Sequence, residues 1–202
     1  MYSINLTEEF MAKLAFVTTL APARDVRYFL NSVHFVVQGN KVEIDSTDGR
    51  ILSHTEIEVE TEIEKKIEFC LDVEVIKGFL TLCKKCKRME SDDMMVLDEE
   101  GNGKFVCKDG TEFGFENKGC NYPNVHNVLG SFEGKGNNIP LSLSIVYLER
   151  MCDAWNKAMG QVVRKHFDSC MVTTETDVSK MNIKYTYTGD ELVNTVVLIS
   201  AK

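Results

Sequence analysis

Proline is nearly missing from this chain, with three in 202 residues, and glycine occurs only thirteen times. That excludes a collagen-like or low-complexity polymer. With 44% hydrophobic and 27% charged residues the chain is also not disordered as a whole. Absent too is any apolar run near the ~20 residues that a membrane-spanning helix needs. The N-terminal stretch MYSINLTEEF has neither the basic n-region nor the apolar h-region of a secretory leader. The expectation is a soluble, cytoplasmic protein without membrane contact. Seven cysteines, an odd number without a leader, fit a reducing compartment better than a disulfide framework.

Catalytic signatures are missing as well. No G-x-S-x-G, P-loop or G-x-G-x-x-G occurs. His34, His54, His126 and His166 are scattered, without paired-ligand spacing. Cys83-x-x-Cys86 with Cys107 and Cys120 has the chemistry of a zinc site. Cys83 and Cys86, however, fall in the apolar arc of a predicted helix and no second C-x-x-C follows, so core packing is the better account. Asp92-Asp93 and Asp98-Glu99-Glu100 flank a strand and a hairpin turn and read as solvated acidic loops. No enzyme, metal or cofactor is expected. The net charge of −8, from 23 basic and 31 acidic side chains, argues against a protein that grips nucleic acid by overall charge.

What is present is a pattern repeated three times at a period of roughly 60 residues. Each unit is a short strand, an amphipathic helix and three strands. In the first, residues 1–5 form a strand and Thr7 caps a helix to Leu20, with Glu8 and Glu9 where the helix dipole favours acids. Strands follow at 26–37, 41–46 and 50–59, turning at Gln38-Gly39-Asn40 and Thr47-Asp48-Gly49. The second unit has a strand at 66–71, a helix from Asp72 to Arg88, and strands at 94–97, 103–108 and 111–116. The third has a strand at 139–143, a helix from Ser144 to Met159 ended by Gly160, and strands at 161–167, 180–188 and 191–200. The fold class is α+β, with helices on one face of antiparallel sheets. Residues 1–60 and 61–131 make a complete two-unit domain, 132–138 a linker and 139–202 a third unit. Such units pack in pairs, so an unpaired third unit predicts association with a second copy.

On the second helix, Leu71, Val75, Ile76, Phe79, Leu80, Leu82 and Cys83 share one side, while Lys77, Lys84 and Arg88 lie opposite, flanked by Lys85 and Lys87. Between Lys77 and Arg88 there are five basic residues and no acid. The third helix balances Arg150 and Lys157 with Glu149 and Asp153.

Arg24-Asp25-Val26-Arg27-Tyr28-Phe29-Leu30-Asn31-Ser32-Val33, followed by Asp45-Ser46-Thr47-Asp48-Gly49-Arg50-Ile51-Leu52, resembles the middle domain of the bacterial DNA sliding clamp, the β subunit of the replicative polymerase. That domain reads D-V-R-Y-Y-L-N-G and then A-T-D-G-H-R-L. Gly119-Cys120-Asn121-Tyr122-Pro123-Asn124-Val125-His126-Asn127-Val128-Leu129 is similar to the end of the same domain. Ile145-Val146-Tyr147-Leu148 and Thr195-Val196-Val197-Leu198-Ile199 are similar to the second half of the last domain.

The resemblance implies a shortened clamp-like protein, of a size that fits a phage or mobile element. It implies a non-catalytic processivity factor that encircles double-stranded DNA without reading sequence, near the nucleoid, and tethers a polymerase. It further implies that Lys77, Lys84, Lys85, Arg88, Lys157 and Arg164 face DNA. Thr47, Arg50, Leu52, Val125, Leu129, Val197 and Ile199 would line an apolar cleft for a linear peptide carrying Leu or Phe. Counting three units per chain against twelve in the bacterial ring predicts a homotetramer, with a dimer second. The competing reading is a non-encircling decoy or adaptor that binds clamp-interacting peptides.

Overall fold

The computed structural model describes residues 1–85, 93–119, 121–130 and 145–160, with backbone alone for Lys84, Lys85, Gly130 and Ile145, and the backbone of 171–177, 182–188 and 195–200. The element order is β1 (Tyr2–Asn5), α1 (Glu8–Leu20), a 3-10 turn (Tyr28–Asn31), β2 (Ser32–Thr47), β3 (Ile51–Asp72), α2 (Val73–Lys85), β4 (Met94–Leu97), β5 (Gly103–Val106), β6 (Glu112–Phe115), α3 (Val125–Gly130), α4 (Ile145–Met159), β7 (Met171–Asp177), β8 (Asn182–Thr188) and β9 (Thr195–Ser200). One antiparallel sheet has the order β1-β4-β5-β6 and the other β2-β3-β9-β8-β7. The fold is α+β, as the repeat pattern implied.

Helix starts follow the sequence closely. Thr7 accepts the Phe10 N–H through Oγ1 at 3.2 Å, and Asp72 accepts the Glu74 N–H at 2.8 Å. Phe10, Leu14 and Val17 of α1, with Ala21 just past its end, share one core with Val42 and Ile44 of β2 and Ile57 of β3. From α2, Ile76, Phe79 and Cys83 close the other end of the same core. Stacked rings run through it: Phe35 on Phe69 at 4.9 Å and Phe79 on Phe105 at 4.0 Å, with Phe115 tilted against Phe105 at 4.8 Å. Gly101, at φ +83°, is needed because a Cβ there would collide with the Phe69 side chain.

β2 is a continuous extended run, yet His34 and Asp45, eleven residues apart on it, are hydrogen-bonded at 3.1 Å. A straight strand would separate them by roughly 36 Å. The chain therefore reverses between them at Gly39, whose φ is +60°, where the turn was expected. β3 then flanks both limbs, pairing residues 52–58 with 41–47 and residues 67–72 with 32–37. The boundary placed between residues 60 and 61 falls between these two pairing segments of β3.

Three expectations are corrected. Residues 26–31 are not strand: Asp25 and Asn31 hold that segment as a loop and 3-10 turn, with Asp25 N–H donating to Asn31 Oδ1 at 2.6 Å and Asn31 Nδ2 to the Asp25 carbonyl at 2.9 Å. The third unit does not stand apart, because β9 pairs with β3 and α4 packs on α1 within the chain. β7, at Met171–Asp177, was not expected, while the predicted strands at 139–143 and 161–167, and the linker at 132–138, lie outside the described residues. Two smaller points follow. Asp93 is buried, accepting the Lys108 N–H at 2.9 Å, rather than solvated. Cys83 and Cys107 are buried in the core, but Cys70 is disulfide-bonded, which the reading of the cysteines had not included.

Candidate functional site

The Thr47–Leu52 corner is built by its own side chains. Asp48 Oδ1 accepts the N–H groups of Arg50 and Ile51, each at 2.8 Å, and Thr47 Oγ1 donates to the Ile51 carbonyl at 2.7 Å while accepting the Gly49 N–H at 3.0 Å. Gly49 sits at φ +86°, and a Cβ there would lie 2.6 Å from an Arg27 guanidinium nitrogen. Arg27 spans the gap to the preceding loop. It donates to the Asp48 carbonyl at 2.7 Å and, in a fork, to Asp25 at 2.9 and 2.8 Å. Those bonds hold the Asp25 carboxyl well below the usual range, at about 2. From α4, Arg150 reaches the Asp48 carboxylate and the Leu20 carbonyl, tying the third unit to this corner.

Beside the corner lies an apolar cavity of about 360 Å³. Thr47, Gly49, Arg50, Ile51 and Leu52 make one wall; Phe29 and Leu30 from the 3-10 turn, with Arg27 just before it, make a second; Pro123, Val125 and Val128 make the third. Leu52 and Val125 are buried against each other, with Tyr122 and Leu129 packed on them. Of the expected cleft residues, Thr47, Arg50, Leu52 and Val125 thus line one cavity, and Leu129 supports it. β9 runs alongside β3, with Ile199 opposite Ile51, Leu198 opposite Leu52 and Val197 opposite Ser53. Arg27, Phe29, Leu30, Pro123 and Val128 were not anticipated. The D-V-R-Y-F-L-N stretch was the available signal, but it was expected as the start of a strand.

Lys77 and Lys157, expected to face DNA, come together along a groove of about 230 Å³ between α1, α2 and α4, with Thr18, Thr19 and Thr81 between them. Each is half exposed and paired within its own helix, Lys77 with Glu74 at 3.0 Å and Lys157 with Asp153 at 2.8 Å. α1 adds no exposed cation here. Its Lys13 is buried, donating to Glu9 at 2.5 Å and the Glu56 carbonyl at 2.8 Å. Lys84 and Lys85 lie on the last turn of α2; Arg88 and Arg164 lie outside the described residues.

A polar cluster shares the cavity's sheet face. Asp45, 1% exposed, receives His34 Nδ1–H at 3.1 Å and His54 Nδ1–H at 2.7 Å. His126 Nε2–H donates to Glu43 at 2.8 Å, and the Tyr122 ring stacks on His34 at 4.8 Å. Three histidines that are scattered in sequence are thus assembled by the reversal of β2 at Gly39, by the pairing of β2 with β3 and by α3. Burial alone would raise the Asp45 carboxyl, but the two imidazole bonds outweigh it and hold it below its usual value. Burial pushes His54 down, and the Asp45 carboxylate pushes it further up, for a net rise.

No protein-family model matches the chain, and no curated protein does. Solved structures do. Over the whole chain it is similar to the DNA polymerase sliding clamp from Pseudomonas aeruginosa, at 11% identity and a TM-score of 0.75, covering 67% of that chain. The DNA polymerase III β chain from Streptococcus pneumoniae gives 13% identity and 0.76 over 65% of its length. The Helicobacter pylori β clamp bound to a DNA ligase peptide gives 11% and 0.73, again over 65%. The chain spans about two thirds of the length of these clamps, and the likeness is one of fold.

Proposed function

We propose that this chain is a clamp-like, non-catalytic processivity factor, and that the apolar cavity beside β3 receives a linear peptide of a polymerase or other replication protein. The observation that carries this is the cavity itself: about 360 Å³, mostly apolar, and framed by a fixed turn on a clamp fold. An extended peptide with Leu or Phe anchors matches such a groove. In this reading Thr47, Arg50, Leu52, Val125 and Leu129 contact the peptide, and Val197 and Ile199 on β9 flank it. That the Helicobacter pylori clamp is described with a bound DNA ligase peptide supports the choice of ligand class.

The second half of the proposal is enclosure of double-stranded DNA. α1, α2 and α4 pack side by side, with Lys77 and Lys157 along their groove. In this reading Lys84, Lys85, Arg88 and Arg164 face DNA as well. Contacts of this kind are weak and independent of sequence, which sliding requires. Closing a ring needs further copies, a tetramer by the count of units and a dimer second. Among the described residues no helix is long and apolar enough to cross a membrane. A short peptide carrying Leu and Phe anchors, titrated into the protein by calorimetry, tests the cavity; one site per chain supports the proposal, and absence of heat at millimolar peptide contradicts it. Native mass spectrometry tests the ring, which a strict monomer at micromolar concentration contradicts.

The pairing of Lys77 and Lys157 with acids of their own helices favours a second reading, a non-encircling adaptor or decoy that keeps only peptide binding. Peptide binding by a monomer that does not stay on closed circular DNA selects it.

A further inference from the structure

We propose that Glu43, Asp45 and His54 form a binding site for a divalent transition-metal ion, with zinc the best chemical match. Strand register makes the set. Glu43 and Asp45 are two residues apart on β2, and His54 stands directly across from Asp45 on β3, so all three leave one face of the sheet. One ligand atom from each lies within 4.8 Å of the other two. Ligand atoms around a tetrahedral zinc, at about 2.0–2.2 Å from it, stand roughly 3.4 Å apart, so a contraction of about 1.4 Å closes the set. Imidazole with carboxylates is a donor set for zinc and its neighbours rather than for calcium or magnesium.

Charge points the same way. Lys41 and Lys66 take up the adjoining Glu56 and Glu68. Among the described residues that leaves Glu43 and Asp45, two negative charges, with imidazoles as their ion-pair partners. Asp45 is buried, where an ionised carboxylate is costly without a compensating cation. A divalent ion supplies the two charges, and its uptake releases to solvent the proton that His54 shares with Asp45.

The surrounding bonds are of the kind that orient metal ligands. His34 Nδ1–H holds Asp45 Oδ2 and His126 Nε2–H holds Glu43 Oε2, while the His54 Nδ1–H on Asp45 Oδ1 gives way when His54 turns from donor to ligand. A cavity of about 340 Å³ opens onto Glu43 and Asp45 and gives the ion a way in. Because His126 belongs to α3, an ion held by Glu43 also steadies the helix that supplies Val125 and Val128 to the apolar cavity. The metal site does not depend on the clamp reading.

The test is titration of the chelator-treated full chain with Co2+, followed by displacement with Zn2+. One Co2+ per chain, without a thiolate-to-cobalt charge-transfer band, is expected. Glu43→Gln and His54→Gln should each weaken binding by at least about tenfold, and His126→Ala by about 10- to 100-fold. Glu43 is only half-buried, so its variant keeps the fold, as circular dichroism verifies, and decides the matter should the His54 variant misfold. No uptake at millimolar Co2+, a thiolate band that puts the ion on cysteines, or unchanged affinity in Glu43→Gln overturns the proposal.

Discussion

Replacing Val128 by Glu places a carboxylate at the mouth of the apolar cavity without touching the core. Val128 is 43% exposed on α3 and lines the cavity opposite Leu52 and Ile51. In the free protein the new carboxylate stays hydrated, so the unfolding free energy should move by no more than about 0.5 kcal/mol. An apolar peptide side chain entering the cavity must either strip that carboxylate of water or stay outside. Full burial of one Leu or Phe side chain contributes about 1.5–3 kcal/mol. Losing one such anchor should weaken peptide binding by roughly 10- to 150-fold. Fluorescence anisotropy with a labelled peptide reads the change, and a second peptide with Ala in place of its apolar residues serves as the control. Unchanged affinity for the apolar peptide, or an equal loss for both peptides, would refute the argument that the cavity is where the peptide sits.

Phe79→Ala, which empties the stack on Phe105 in a fully buried site, should cost about 3–5 kcal/mol in chemical denaturation; a cost under about 1 kcal/mol contradicts the packing described. The Asp45–His54 pair predicts a pH dependence measured with chelator present. Asp45, lowered on folding, contributes stability above its unfolded value near 3.8 that is lost as pH falls through the folded one. His54, raised on folding, contributes stability fully present below 6.5 that is lost as pH rises through its folded value. The urea midpoint should therefore fall as pH climbs from 6.5 in the wild type more than in His54→Gln, and parallel curves would contradict this. The double variant Lys77→Glu, Lys157→Glu should shorten residence on DNA and leave peptide affinity unchanged, as competition and anisotropy assays would report.

Local chemistry made much of the fold legible. Thr7 with Glu8 and Glu9 marked the start of α1, and Asp72 the start of α2. What failed depends on partners far along the chain. Residues 26–31, expected as strand, are held as a loop by the side chains of Asp25, Arg27 and Asn31, and Arg27 reaches on to the distant Asp48 carbonyl. The pairing of β9 with β3 joins residues almost 150 apart, and nothing local in either strand names the other. The cleft was legible through resemblance at Thr47, Leu52 and Val125, whereas Phe29 and Leu30 enter it only because of the misread loop. The histidine cluster was hidden for a related reason: the reversal of β2 at Gly39 brings His34 to Asp45 and strand register brings His54, and no spacing rule along the sequence encodes both.

Enclosure of DNA is the claim with the most consequence, and lifetime on a nicked circle against the same molecule cut once measures it directly. A closed ring held by topology stays on the circle through a salt wash and slides off the ends of the linear form. Equal lifetimes on both would contradict enclosure, whatever the peptide cavity binds.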